Sequence, residues 1–155
     1  IKNNSFVGYL DSQFGILEIC ADYEGVTAVR FVKEKHIMPN WCLNTEQAAE
    51  QLREYFTGKR TQFDLKLNAQ GTTFQHQVWQ ELCNIEYGQN CSYADIAKSI
   101  NNPKAVRAVG AANGRNPLTI VVPCHRVIGS NGTLTGYACG TSIKAGLLQL
   151  EQNTY

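Results

Sequence analysis

The sequence of 155 residues carries 14 Lys+Arg against 13 Asp+Glu, a formal net charge of +1, and 43% of its residues are hydrophobic. This length suits one ordinary domain or two small domains. The near-neutral charge excludes a basic field over the whole protein, so any contact with a nucleic acid must be local. No apolar run approaches the roughly 20 residues that a transmembrane helix needs, and residues 1–6 do not resemble a signal sequence, so we expect a soluble, intracellular protein without a membrane partner.

The first 70 residues predict a small unit of strands and one helix. Short segments rich in β-branched and apolar residues predict three antiparallel strands, at 7–10, 15–20 and 26–32. An amphipathic helix is predicted over Thr45–Phe56, with Asn44 or Thr45 as its N-cap and Gly58 as its stop signal. Apolar residues that alternate with polar ones predict a further strand over 63–67.

After an Asn-Ala-Gln-Gly break the pattern becomes mainly helical, which predicts two domains, 1–70 and 71–155. Thr72 and Gln75 form a capping-box pattern, in which each side chain accepts a hydrogen bond from the backbone of the other residue. We therefore expect a helix from this point through Cys83.

Two further short helices are predicted in the second domain. Ser92 with Asp95 begins the first, and Asn102 as cap begins the second, over Pro103–Asn113. Such a pair is typical of a helix-turn-helix, in which a helix with small residues can approach a DNA groove closely. Close helix packing within the core explains the same residues, and both interpretations stay open here. The small residues are Ala105, Ala108, Gly110, Ala111 and Ala112.

The chemically most informative segment follows a buried apolar run at 120–122, where Cys124 stands directly before His125. Cysteine attacks as the thiolate, and a neighbouring imidazole that accepts the proton raises the thiolate fraction at neutral pH. Glu151, in the last predicted helix, is a possible acceptor to orient the imidazole. An inert buried thiol beside a packed histidine remains the alternative at this stage.

The other cysteines and histidines do not predict a metal site. The chain has six cysteines and three histidines, but no CxxC pair and no zinc-type spacing. Since no export signal is evident, we expect reduced thiols rather than disulfides. No metal and no dissociable cofactor is predicted.

Several motifs stand together in the order and spacing of one known family. They are Ser92-Tyr93, the segment 102–110, Arg115-Asn116-Pro117, Gly136-Tyr137 and, as the hallmark, Pro123-Cys124-His125-Arg126-Val127. By these motifs the chain resembles the O6-alkylguanine-DNA alkyltransferases, also called methylated-DNA–protein-cysteine methyltransferases. The resemblance is specific over 71–155 and faint over 1–70, where only the pattern of strands and one helix fits.

The resemblance implies an α+β fold, with a small RNase H-like sheet-and-helix domain followed by a helical domain that carries a winged-helix-like helix-turn-helix. It implies DNA repair by irreversible, single-turnover transfer of an alkyl group from O6-alkylguanine in duplex DNA to Cys124, and leaves O4-alkylthymine open as a second substrate. The implied protein is a monomer without a cofactor. It would bind DNA through the minor groove and work in the cytoplasm, or in the nucleus of a eukaryote.

The resemblance also implies roles for single residues. His125 would act on Cys124 through a water, with Glu151 orienting the imidazole. Asn116 would hold the active-site segment by hydrogen bonds, and Tyr93 would help to rotate the base and protonate the leaving guanine. Arg107 would fill the space that the flipped base leaves, although a phosphate contact or a surface salt bridge is its plainer alternative. Other predicted DNA contacts are Asn102, Ala105, Ala108 and Ala111, and the predicted guanine pocket contains Val127, Tyr137, Ala138 and Cys139.

Two positions depart from the family pattern: Cys139 stands where glycine is common, and Gly146 stands where a larger residue is usual. Three alternatives remain. Alkyltransferase-like proteins bind lesions without transfer, but they replace the cysteine that Cys124 represents. A helix-turn-helix regulator, or a fragment of a bifunctional adaptive-response protein, would carry a cysteine-rich metal-binding extension that is not seen. A Cys-His hydrolase would leave Tyr93 and Arg107 without a role.

Overall fold

The structure is a computed structural model that describes residues 5–134 and 140–153. The chain divides into two compact units, the first ending at Gln70 and the second beginning at Gly71. Together they form a mixed α/β fold, with the larger sheet in the first unit and most helices in the second. Within the described ranges, no helix is both long and apolar enough to cross a membrane.

A three-stranded antiparallel sheet forms the first unit's framework, as the sequence predicted. Its strands are paired in the order β1-β2-β3. The inner face carries large apolar residues. Their burial stabilises the fold by about 25 cal/mol per Å² of apolar surface removed from water. The strands are β1 (Phe6–Ser12), β2 (Gly15–Asp22) and β3 (Gly25–Val32), and the fully buried residues include Leu17, Ile19, Val26 and Val29.

The helix of the first unit, α1 (Leu43–Phe56), begins two residues before the predicted start. The prediction of Asn44 or Thr45 as N-cap is wrong because Cys42 occupies that position. The hydroxyl of Thr45 instead accepts a hydrogen bond from the Cys42 N–H (2.8 Å) and donates one to the Cys42 carbonyl (2.9 Å), from inside the first turn. The predicted stop is confirmed, since Gly58 takes a φ of +78° that favours glycine.

The strand predicted over 63–67 is wrong, because only Leu67 forms an isolated bridge, to Val26. The backbone of this segment finds its partners singly: the Lys66 carbonyl accepts from the Val26 N–H (2.8 Å), and Asp64 pairs with a side chain of α1. The Gln51 side chain donates to the Asp64 carbonyl (3.0 Å) and accepts from the Asp64 N–H (2.9 Å). A backbone that finds its partners in this way has no need of a strand ladder.

The second unit opens with α2 (Thr73–Leu82), whose predicted capping box is confirmed. The hydroxyl of Thr72 accepts from the Gln75 N–H (3.1 Å), and the Gln75 side chain accepts from the Thr72 N–H (2.9 Å). The helix then ends at Leu82, with Cys83 as its C-cap.

Two short helices follow as predicted, and the predicted start is confirmed for the first and wrong for the second. The helix α3 (Tyr93–Ser99) begins at the Ser92 cap as predicted. The helix α4 (Val106–Gly114) begins three residues later than Pro103, with Ala105 as N-cap. Asn102 is not a helix cap, because its carbonyl accepts from the Ala105 N–H (3.0 Å) and closes a turn. Before that turn, Asn101 takes a φ of +62°, which redirects the chain.

A feature that the sequence did not predict connects the start of α3 to the chemically important segment. Two short strands, β4 (Cys91–Ser92) and β5 (Val127–Ile128), pair in parallel. The last helix, α5 (Thr141–Gln152), contains the Gly146 that departs from the family pattern. The parallel pair places the N-terminus of α3 beside the residues that follow Cys124.

We expect Ser92→Ala to lower the free energy of unfolding by about 1 kcal/mol, because the Ser92 hydroxyl accepts from the Asp95 N–H (3.1 Å) at the start of α3. Denaturant unfolding measures the change. Ser99→Ala is the matched control, since Ser99 is exposed in the same helix and has no capping role there. Equal effects of the two substitutions would contradict the assigned cap.

Candidate functional site

The segment that leads to Cys124 is folded into two successive three-residue turns. In the first, the Val121 N–H donates to the Thr119 carbonyl (2.9 Å), and the central Ile120 takes a φ of +73°. A β-branched residue in this region is strained and persists only where its surroundings hold it. In the second, Pro123 (φ −79°, ψ +64°) is central, and the Cys124 N–H donates to the carbonyl two residues back (2.8 Å).

Asn116 braces this strained segment at both ends. Its side-chain Nδ2 donates to the carbonyls of Leu118 (3.3 Å) and Val122 (2.8 Å), and its Oδ1 accepts from the Leu118 N–H (3.0 Å). The amide thus uses its donor and its acceptor on the same short stretch of backbone. Asn116 thus makes hydrogen bonds to the segment that the family resemblance expects it to hold.

Cys124 is the first residue of a 3-10 turn, Cys124–Arg126, and only 5% of it is exposed. Its carbonyl accepts from the Val127 N–H, which continues into β5, and from Nδ2 of Asn113 (3.4 Å), a buried residue of α4. Cys124 is therefore held from two sides, by the strand that follows it and by the end of α4.

The carboxylate of Glu151 gathers four donors although Glu151 is only 3% exposed. Nε2 of His125 lies 2.7 Å from Oε2, and Arg126 donates from Nε to Oε1 (2.9 Å) and from Nη2 to Oε2 (3.0 Å). The Gly88 N–H adds a bond to Oε1 (3.2 Å). Burial raises the pKa of Glu151, but the hydrogen bonds from His125 and Arg126, together with the positive charge of Arg126, outweigh it and lower the pKa from 4.5 to about 2.

His125 is completely buried, and burial lowers its pKa below the usual 6.5, with the positive charges of Arg126 and Lys144 acting in the same direction and Glu151 opposing them. The imidazole is therefore neutral at pH 7. Because the ionised Glu151 can only accept, the proton sits on Nε2. Nδ1 is left as an acceptor, and it is buried without a hydrogen-bond partner in the described structure.

Lys144 is a second buried charge near Cys124. Its side chain is fully buried on α5, and Nζ lies 5.9 Å from the centre of the Tyr93 ring. Burial lowers the pKa of Lys144, whereas the charge that Cys124 carries as a thiolate opposes this shift. An ammonium over an aromatic face is attracted by the ring. Lys144 therefore lies near the Tyr93 ring, and its charge interacts with that of a Cys124 thiolate.

The small residues of α4 divide between two environments. Ala112 is buried, and its carbonyl accepts from the Trp79 indole (2.9 Å), which is core packing. Ala108 and Ala111 are exposed, as is Arg107 beside them. The core-packing alternative therefore does not account for the exposed face of α4. Among the other predicted DNA contacts, Asn102 is exposed in the preceding turn and Ala105 is half-buried at the N-cap.

The structure thus pairs His125 with Glu151 beside Cys124 and places Asn116 on the segment that precedes Cys124, while the functional roles of these residues stay predictions. Val127 is fully buried in β5, while the predicted pocket residues Tyr137, Ala138 and Cys139 lie outside the described residues. In the described ranges, no group of three or more His, Cys, Asp or Glu side chains could hold a metal ion.

Three contacting residues were missed by sequence reasoning: Arg126, Lys144 and Asn113. For Lys144 a signal existed, because it shares the helical spacing of the buried Leu147 and Glu151. Arg126 could have been noticed as a charge inside a buried run. Asn113 carried no comparable signal, because its role depends on where the end of α4 meets the Cys124 carbonyl.

The free energy of unfolding should fall in two steps as the pH is lowered. Below about 6.5 the unfolded chain protonates His125, whereas burial keeps the folded imidazole neutral. Between 4.5 and about 2 the stability that ionised Glu151 contributes is lost, because its folded pKa is depressed. The full shift corresponds to about 3 kcal/mol.

Denaturant unfolding at a series of pH values tests these steps. Glu151→Gln should remove the lower step, while Glu86→Gln, at an exposed carboxylate, should leave the profile unchanged. A wild-type profile in Glu151→Gln would show that the cluster does not control the acid stability.

Two family models match the chain. Residues 6–69 match the ribonuclease-like domain of 6-O-methylguanine DNA methyltransferase, and residues 73–153 match the DNA binding domain of the same family. Among curated relatives, a methylated-DNA–protein-cysteine methyltransferase of Methanosarcina acetivorans is 48% identical over 152 residues, which cover 94% of this chain and 97% of the relative. A constitutive protein of that name from Bacillus subtilis is 58% identical over 113 residues, covering 72% and 68%.

Solved structures are also similar over nearly the full length. The crystal structure of the Mycobacterium tuberculosis OGT protein in complex with DNA superposes with a TM-score of 0.84. The identity is 42%, and the alignment covers 93% of this chain and 92% of that one.

Proposed function

The chain belongs to the 6-O-methylguanine DNA methyltransferase family, and from this premise we propose that Cys124 is the cysteine that accepts the alkyl group. The protein is a DNA-binding enzyme that transfers a methyl group from methylated DNA to a protein cysteine, rather than a lesion-binding protein without transfer activity. One observation carries the assignment of Cys124. The next residue, His125, has its imidazole proton held on Nε2 by Glu151, so Nδ1 is available as a base.

The reaction begins with the loss of the Cys124 thiol proton, which passes through a water to Nδ1 of His125. The thiolate then attacks the alkyl carbon, so that a sulfur–carbon bond forms as the bond from that carbon to O6 of guanine breaks. Guanine leaves with the electron pair of that bond and takes up a proton. The product is a thioether on an unactivated carbon with no easy leaving route. Each molecule therefore acts once.

Tyr93 is the proposed donor of the proton that the leaving guanine takes up. The Lys144 ammonium over its ring favours the phenolate that this donation produces, because a nearby positive charge stabilises a negative one. Lys144 thereby acts on both ends of the transfer. It lies close to Tyr93, and its charge interacts with that of Cys124.

We assign DNA binding to a helix-turn-helix formed by α3 and α4, in the domain 71–155, and a structural role to the RNase H-like domain 1–70. The exposed face of α4 with Ala108 and Ala111 would enter the minor groove, where small side chains permit close approach. Arg107 would occupy the space that the flipped O6-alkylguanine leaves in the duplex. A minor-groove contact reads little of the DNA sequence. A local contact of this kind is compatible with a net charge of only +1.

The protein would act as a monomer on one lesion at a time. Its place of action is where the genome lies, in the cytoplasm of a bacterial or archaeal cell or the nucleus of a eukaryotic one.

Incubation with a duplex that carries one O6-methylguanine should add one methyl group per protein molecule, on the peptide that contains Cys124. Intact-protein mass spectrometry with peptide mapping measures this. Cys124→Ser should remain unmodified, and Cys83→Ser, at an exposed thiol, should react like the wild type. A methyl group on another cysteine, or none with lesion binding retained, would contradict the assignment.

The two residues assigned to base flipping and protonation should differ in their dependence on duplex structure. We expect Arg107→Ala to slow transfer about tenfold on duplex DNA but not on a single-stranded oligonucleotide, since only the duplex requires an extruded base. Tyr93→Phe should slow transfer on both by roughly 100-fold, because it removes a proton donor.

Single-turnover rates on the two substrates measure these effects. Arg53→Ala, at an exposed arginine of α1, is the control for loss of one positive charge. A full rate of Arg107→Ala on duplex DNA would eliminate its role in flipping.

A further inference from the structure

Asn113 is a buried polar residue next to the reactive cysteine that neither the sequence nor the mechanism above assigns. It lies in the last turn of α4 and is 1% exposed. Its Nδ2 donates to the main-chain carbonyl of Cys124 at 3.4 Å. Thus Asn113 is held directly against the acceptor residue, from the helix that we assign to DNA binding.

The orientation of the Asn113 amide follows from this contact. A carbonyl can only accept, so the amide nitrogen of Asn113 must face the Cys124 carbonyl. The reverse orientation would place Oδ1, also an acceptor, against that carbonyl oxygen. Oδ1 therefore points elsewhere. It is buried, and no donor among the described residues reaches it. A buried amide oxygen without a donor is unfavourable, and a water at this position would supply the missing hydrogen bond.

His125 presents the same situation on the residue next to Cys124. Its Nε2 is engaged by Glu151, and its Nδ1 is a buried acceptor without a partner. The two unsatisfied side-chain acceptors, Oδ1 of Asn113 and Nδ1 of His125, belong to residues that flank the same cysteine. A single water supplies two donors, and buried waters typically satisfy polar groups in this way.

We propose that Asn113 is a positioning residue for the proton transfer from Cys124: its Oδ1 and His125 Nδ1 together hold the water that carries the proton. This inference rests on the proposed function of Cys124 and adds Asn113 to it. The water uses one hydrogen for each acceptor, and its oxygen lone pair faces the thiol. Without Oδ1 the water has one anchor fewer and is oriented less well for the transfer.

The proton balance of this step is complete within the site. The sulfur–hydrogen bond of Cys124 breaks as an oxygen–hydrogen bond forms on the water. The water's hydrogen that faces His125 moves to Nδ1 at the same time. The hydrogen that faces Asn113 stays in place, so the amide orients the water and exchanges no proton. The products are the thiolate and an imidazolium whose two N–H groups face the water and Glu151.

Other ionisable groups around this pair must be considered in any pH experiment. Each is unchanged in a variant at position 113, so a change in the pH profile of the rate reports on the amide. They are Glu151 and Lys144 on α5, Arg126 in the 3-10 turn, Tyr93 at the start of α3, and Cys83 at the end of α2.

The test is the single-turnover rate of methyl transfer as a function of pH, with the O6-methylguanine duplex at saturating concentration. Asn113→Leu keeps the approximate size of the side chain and removes its polar groups, whereas Asn113→Ser keeps an acceptor. We expect Asn113→Leu to be about tenfold slower than wild type at pH 7, with the midpoint of the rate profile moved to higher pH. The two rates should converge at alkaline pH, where the thiol ionises without help.

Asn113→Ser should recover most of the rate at pH 7, and Asn84→Leu, at an exposed asparagine after α2, should match the wild type throughout. DNA affinity and the unfolding transition are recorded for each variant. If Asn113→Leu does not fold, Asn113→Ala against Asn113→Ser gives the same comparison of a missing and a retained acceptor.

If Asn113 had only a structural role, Asn113→Leu would be slower than the wild type by the same factor at every pH. That result would overturn the proposal. A wild-type profile in Asn113→Leu would overturn it as well. If the wild-type protein itself acquired no methyl group on Cys124, the proposed function would fail before this comparison. The two failures are therefore distinguishable.

Discussion

The buried carboxylate of Glu151 is the interaction on which the second unit depends. An ionised carboxylate away from water is costly unless its oxygens are fully paired, and here His125, the Arg126 guanidinium and the Gly88 N–H supply four contacts of 2.7–3.2 Å. These partners come from the 3-10 turn and from the connection between α2 and β4. One side chain near the end of α5 therefore joins segments that are distant in the sequence, and removing it would leave Arg126 buried without its counter-charge.

The same cluster determines the chemistry beside it. Because Glu151 can only accept, the His125 proton is held on Nε2 and Nδ1 is free to act as a base next to Cys124. The backbone that leads to Cys124 is strained, and hydrogen bonds hold it in that conformation. Ile120 takes a φ of +73° that only the surrounding bonds can maintain, and Asn116 supplies those bonds on both sides of it. Stability and reactivity therefore rest on one set of contacts.

Local signals in the sequence predicted the elements that depend on local physics. The capping boxes at Thr72 and Ser92 are present because their hydrogen bonds lie within one helical turn. The predicted strand over 63–67 was wrong because Gln51 pairs with the backbone of Asp64. The predicted helix start at Pro103 was wrong because Asn101 redirects the chain just before it. Cys124, His125 and Asn116 were predicted as site residues from their motifs, and Glu151 from its place in the last predicted helix. Arg126, Lys144 and Asn113 were missed, since their roles arise only from tertiary contacts.

The central claim is that Glu151 fixes His125 as a neutral imidazole with its proton on Nε2. Nitrogen-15 NMR of the imidazole in the folded protein at pH 7 tests this most directly. The account predicts a protonated Nε2 and an unprotonated Nδ1 for His125, with Glu151→Gln losing that preference. A proton on Nδ1, or an imidazolium at neutral pH in the wild-type protein, would contradict it.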